Sequence, residues 1–94
     1  MDANEFLEKD LTIVNQRGLH ARASAKLVKL VETFEATVVV SKDGQSVGGT
    51  SIMGLMMLAA SPGCSIHVQV SGPQADAALG AISHLVEDGF GERD

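Results

Sequence analysis

Ninety-four residues, 45% of them hydrophobic, suffice for one domain around a single modest core, with nothing to spare for a deep cavity. A net charge of −5, no Trp or Tyr and three Phe exclude a general nucleic-acid binder, which needs a basic face and aromatic stacking platforms. No apolar run nears the roughly 18 residues of a membrane span, so no membrane insertion is expected.

The N-terminus Met1-Asp2-Ala3-Asn4-Glu5 is acidic where a secretory leader is basic and then apolar. The lone Cys64 has no partner for an internal disulfide, in keeping with a reducing compartment. Both features predict a cytoplasmic protein. The histidines, His20, His67 and His84, lack metal-ligand spacing, and no Gly-x-x-x-x-Gly-Lys loop is present. No metal and no cofactor are expected.

Along the chain, Lys9 to Asn15 alternates loosely, with Leu11 and Ile13 on one face, and predicts a first strand. Gly18 closes the connection that follows. Ala21 to Phe34 then places Leu27, Leu30, Val31 and Phe34 at helical spacing, with Arg22, Lys26 and Lys29 on the polar side. Ala36 to Ser41 is a β-branched run, and Asp43-Gly44 predicts the hairpin turn after it, because such turns need positive φ at both central residues. Ser51 is placed to cap a short helix over Ile52 to Ala60, which Ser61-Pro62-Gly63 breaks. Cys64 to Ser71 alternates cleanly, with Ile66, Val68 and Val70 on one face. Pro73 suits a first helical position, and Ala78, Leu79, Ile82, Leu85 and Val86 supply the stripe of a last helix. The order is β-α-β-β-α-β-α, which suits a sheet covered by helices on one face and wet on the other.

Within this pattern one residue carries chemistry. His20 stands between a turn glycine and a helix start, where the backbone N–H groups of Ala21, Arg22 and Ala23 are free to hold negative charge. Arg22 adds a guanidinium suited to phosphate. No acidic residue falls between Asp10 and Glu32, while Arg17, Arg22, Lys26 and Lys29 all do, so a basic patch surrounds His20 in an acidic protein. Small residues at 21, 23, 24 and 25 leave room for a second macromolecule. By position alone His20 is a surface histidine in a turn; these neighbours make it a candidate phosphoryl acceptor.

The run Gly18-Leu19-His20-Ala21-Arg22 resembles the active-site signature of HPr, the histidine phosphocarrier family of the bacterial phosphoenolpyruvate-dependent phosphotransferase system. Ser51-Ile52-Met53-Gly54-Leu55-Met56 resembles that family's regulatory-serine block, and falls 31 positions after the histidine (51 − 20), as in the family. The likeness extends over roughly residues 7 to 90. It implies an HPr-like α/β open-faced sandwich over residues 1–94, a four-stranded antiparallel sheet in the order 1-4-2-3 with three helices on one face. It also implies that His20 accepts phosphate on Nδ1 from phospho-enzyme I and passes it to an enzyme IIA domain, with Arg22 as the active-site arginine. The protein would then be a monomeric carrier with a phosphohistidine intermediate, not a free-standing enzyme. Ala23 departs from the proline that many members carry, a variation met in the nitrogen-type branch, and bears on sugar uptake versus nitrogen-type regulation.

Two further positions have a structural and a functional reading side by side. Ser51 caps a helix, and the resemblance adds phosphorylation by an HPr kinase/phosphorylase, which would alter the adjacent surface. Ile52, Met53, Leu55, Met56, Met57 and Leu58 cannot all face one core from so short a helix. Part of that set is therefore expected at a docking surface, which the resemblance maps to Ile52, Met53 and Met56, with Leu19, Lys26 and Lys29 around His20. A regulatory binding module on the same fold, controlled by Ser51 phosphorylation, is the alternative. His20 argues against it, since a pure binding module needs no nucleophile there. A small hydrolase lacks a visible second catalytic group, no carboxylate lying near His20 in sequence.

Overall fold

A computed structural model describes residues 6–92. The acidic start Met1–Glu5 lies outside them. Four strands, β1 (Leu7–Thr12), β2 (Thr37–Lys42), β3 (Gln45–Gly48) and β4 (Ser65–Ser71), pair antiparallel in the order β1-β4-β2-β3. Three helices, α1 (Ala21–Val31), α2 (Ile52–Met57) and α3 (Ala75–Glu87), complete the open-faced sandwich, with a 3-10 turn (Gly89–Gly91) after α3.

Period-two alternation sets the sheet's two faces. Ile66, Val68 and Val70 of β4 are fully buried, as are Val40 of β2 and Ile13 just beyond β1, while Leu11 and Val38 are nearly so. Against them pack Leu27 and Val31 of α1, Leu55 of α2 and Ala78, Ile82 and Val86 of α3. Burying a Leu, Ile or Val contributes about 1.5–3 kcal/mol. This core therefore fixes strand register, since a one-residue slip would turn the whole apolar set of β4 to solvent.

The element order is as expected, and the boundaries differ for local reasons. Pairing of the first strand with β4 starts at Leu7, and bonds from Ile13 N–H to the Cys64 carbonyl and Gly63 N–H to the Ile13 carbonyl prolong it past Thr12. Helix α1 gives way after Val31, where the N–H groups of Thr33 and Phe34 bond carbonyls three residues back, at Leu30 and Val31. Helix α2 stops at Met57 because Ala59 adopts φ 53°, the left-handed conformation that ends a helix. Alanine rarely takes that conformation, so the sequence carries no stop signal there. Pro73 lies in the turn before α3 and not inside it; Gln74 holds the N-cap position. The β2–β3 hairpin turn has positive φ at both Asp43 (51°) and Gly44 (82°), as its dipeptide predicts.

Candidate functional site

The site begins with a turn that has little freedom. Asn15 is buried, and its side-chain amide donates to the Gly18 carbonyl at 2.9 Å, closing the loop from β1. Gly18 has φ +62°, and a Cβ placed there would lie 2.0 Å from the Ala60 carbonyl oxygen. Next, Leu19 N–H donates to the same carbonyl at 3.0 Å, tying the turn to the segment that follows α2. Leu19 itself is only 4% exposed. That corrects its place in the docking surface: the chain alternates through this turn, and Leu19 points into the core while His20 points out.

His20 occupies the N-cap of α1 with extended backbone (φ −76°, ψ −179°), and its carbonyl accepts the first helical bond, from Ser24 N–H at 2.9 Å. Its side chain does the capping: Nδ1 accepts from Arg22 N–H at 3.3 Å. Asp, Asn, Ser or Thr ordinarily fills this position. An imidazole there aims one ring nitrogen at the helix N-terminus, where backbone donors and the helix dipole favour negative charge. Of the three predicted backbone groups, that of Arg22 reaches the ring; Ala21 and Ala23 are the neighbouring residues of the same first turn. Arg22 is exposed, and among the described residues its guanidinium has no ion-pair partner.

A carboxylate completes the arrangement, brought from far outside the acid-free stretch around His20. His20 Nε2 and Glu92 Oε2 are 2.5 Å apart, with side chains 23% and 9% exposed. Because Nδ1 accepts a hydrogen bond and a carboxylate only accepts, the ring proton sits on Nε2. Nδ1 therefore carries the available lone pair. Asn15 donates to the other carboxylate oxygen, Oε1, at 3.1 Å. The His20 bond, with that of Asn15 behind it, holds the Glu92 carboxyl below its ordinary value.

Glu92 is delivered by the residues after α3. Gly89, Phe90 and Gly91 all have positive φ (63°, 58° and 74°), which reverses the chain. Phe90 is fully buried, and its carbonyl accepts from Lys26 Nζ at 2.7 Å. Lys26, predicted for docking, is thus also a tie between α1 and the C-terminal segment. A lone Phe between two glycines after the last helix was the signal for this anchored reversal. Nothing in the sequence marked its target, 72 positions from His20.

The remaining predicted residues fall on α1 and α2, which pack together. Lys29 is exposed on α1. Ser51 has the expected cap geometry, its Oγ accepting from Gly54 N–H at 2.9 Å. The apolar run divides: Leu55 and Leu58 enter the core, whereas Ile52 (39%), Met53 (70%), Met56 (39%) and Met57 (72%) stand exposed. Met57 is as exposed as Met53 and was absent from the expected docking set. No helix among the described residues is long and apolar enough to cross a membrane, and no group of three or more His, Cys, Asp or Glu among them could hold a metal.

This geometry can be set beside known proteins. The family model described as "PTS HPr component phosphorylation site" matches residues 7–88. Phosphocarrier protein HPr of Cupriavidus necator is 45% identical over 87 residues, covering 93% of this chain and 98% of that protein. Phosphocarrier protein NPr of Shewanella violacea is 41% identical over 86 residues, covering 92% and 94%. Among solved structures, the crystal structure of HPr-C-His from Thermoanaerobacter tengcongensis superposes with a TM-score of 0.88 at 35% identity, covering 94% of this chain and 99% of that one. An open-faced sandwich, a histidine capping its first helix and matches of this extent agree: the chain belongs to the HPr phosphocarrier family of the phosphotransferase system.

Proposed function

We propose that this chain is a cytoplasmic carrier that takes a phosphoryl group on His20 Nδ1 from phospho-enzyme I and hands it to an enzyme IIA domain. The observation that carries the reading is the state of the ring. Nδ1 is unprotonated, its lone pair turned to a helix N-terminus where it accepts a long bond from Arg22 N–H, while Nε2–H is held by Glu92. In the forward step that lone pair attacks phosphorus and the donor's bond to phosphorus breaks, its electron pair staying on the donor. The product is an Nδ1-phosphorylated imidazolium that keeps its Nε2 proton. In the return step the acceptor's nucleophile attacks phosphorus, and the P–N bond breaks with its pair going back to Nδ1. No net proton leaves His20 in the cycle. Arg22 and the first-turn N–H groups bear the phosphoryl charge.

Partners would reach the ring across the α1–α2 surface, where Ile52, Met53, Met56 and Met57 supply an apolar centre and Arg22 and Lys29 a basic margin. Ser51, at the edge of that surface, would be the site of regulatory phosphorylation.

The test is labelling with phosphoenolpyruvate and enzyme I, read by intact-protein mass spectrometry. Wild type gains one acid-labile, base-stable phosphate, and His20→Ala gains none while keeping a cooperative thermal melt. Arg22→Ala accepts phosphate more slowly without losing it. Undiminished labelling of the His20→Ala protein overturns the assignment.

A further inference from the structure

The contact between Glu92 and His20 joins residues 72 positions apart, and several features of the chain converge on it. The reversal at Gly89–Gly91 holds three successive residues at positive φ, Phe90 among them, where a β-carbon is disfavoured. Phe90 is fully buried, and Lys26 Nζ binds its carbonyl, so the segment is fixed on both sides. Asn15 is 5% exposed and turns its amide nitrogen to two acceptors, the Gly18 carbonyl and Glu92 Oε1. Its Oδ1 is left buried without a hydrogen-bond partner among the described residues. A polar atom so left is a cost the fold accepts to keep the amide facing Glu92. The carboxylate is thereby oriented from behind, with Oε2 on His20 Nε2.

We propose that Glu92, oriented by Asn15, is the positioning residue that keeps the far nitrogen of His20 protonated, before phosphorylation and in the phosphohistidine. The inference rests on the phosphocarrier reading and extends it to the control of transfer potential. In the free protein the Glu92 bond holds the proton on Nε2 and leaves Nδ1 nucleophilic. Once Nδ1 carries the phosphoryl group, the ring is an imidazolium only while Nε2 stays protonated. A protonated ring leaves phosphorus as a neutral imidazole; a deprotonated ring would have to leave as an anion and is far more inert. A carboxylate at 2.5 Å from Nε2 favours the reactive form. Other charged groups near the pair are the cations Arg22 and Lys26 on α1, and Glu87 and Asp88, which line one shallow depression with Asn15 and Glu92. Helix α2 carries no titratable residue. Of these groups, Glu92 is the one hydrogen-bonded to Nε2.

Two measurements on the intact chain test this without any partner protein. First, the imidazole region of a proton–nitrogen NMR spectrum of the unphosphorylated protein should show a deshielded, slowly exchanging Nε2 proton on His20. That signal should vanish by exchange with water in Glu92→Ala and broaden in Asn15→Ala. Second, His20 is phosphorylated chemically with phosphoramidate, and the hydrolysis rate is followed against pH. Loss of the charge in Glu92→Gln should move the midpoint of that profile about one unit toward acid, making hydrolysis roughly tenfold slower on the alkaline limb. Thermal melts should stay near wild type, which separates the effect from unfolding. A wild type without the protected proton, or Glu92→Gln and wild-type profiles with one midpoint, overturns the role of Glu92 and leaves the carrier assignment standing. Failure of phosphoramidate to modify His20 at all overturns the carrier assignment, and the phosphohistidine half of this proposal with it.

Discussion

Gly18 is the residue with the least choice. Its φ of +62° costs an L-residue about 1–2 kcal/mol, and a β-carbon would also run into the Ala60 carbonyl. Gly18→Ala should therefore lower stability by at least that amount, seen as a lower thermal midpoint. Phosphate acceptance should slow as well, since Leu19 can no longer hold the Ala60 carbonyl. A variant with wild-type melting would show that the turn relaxes freely. At this scale the sequence revealed what is local. His20, Arg22 and the glycine before them lie within five residues, so their chemistry can be read from spacing. Glu92 and Asn15 could not be read that way, because their contacts depend on how a reversal after α3 meets a turn after β1. Leu19 was misplaced for a different reason: the residue beside an exposed side chain in an extended turn tends to point inward.

Among the elements, α2 separates two roles of one serine. Ser51→Ala removes the bond to Gly54 N–H and should cost about 1 kcal/mol of stability while leaving transfer near normal. Ser51→Asp can still cap, yet places negative charge at the rim of the exposed methionines. It should melt like wild type and accept phosphate from enzyme I several-fold more slowly. Equal transfer rates for wild type and Ser51→Asp would make Ser51 a cap alone.

On the open face of the sheet, His67 of β4 bridges Glu8 (2.8 Å) and Asp10 (2.7 Å) of β1. The Asp10 hydrogen bond, followed by that of Glu8, raises the His67 pKa above its ordinary value. A raised folded value means that the clamp contributes fully below the unfolded pKa of about 6.5 and fades as pH rises through the folded one. The gap in urea midpoint between wild type and His67→Ala should therefore narrow from pH 6 to pH 9. A gap that stays constant would assign the effect of His67 to packing. The alternation of β4 showed that His67 faces solvent; its partners required the β1–β4 register, which periodicity does not supply.

For the whole molecule, a formal charge of −5 coexists with a stretch of sequence between Asp10 and Glu32 that contains four Lys or Arg and no acid. Screening acts over about 10 Å at 0.1 M salt, so encounter should weaken as salt rises while the apolar contact remains. Transfer from enzyme I at low carrier concentration should slow between 0.05 and 0.5 M salt, and Met53→Glu should slow it at every salt concentration. Rates indifferent to both changes would place docking elsewhere. The overall architecture was legible because one core needs one apolar face per element, and the periods of two and 3.6 report those faces directly. Helix ends were less so, since the left-handed Ala59 that stops α2 is a conformation the residue type does not announce.

The shared grip on the Ala60 carbonyl, by Leu19 N–H and by the close approach of Gly18, makes the imidazole and α2 parts of one rigid template. A partner that recognises the methionine ridge has therefore already located the ring, with no loop left to close after contact. Productive orientation comes with collision, so complexes can be brief and still transfer. Proteins of unrelated sequence could use the same carrier in turn, provided that each presents one matching contour at a fixed offset from its own phosphoryl group.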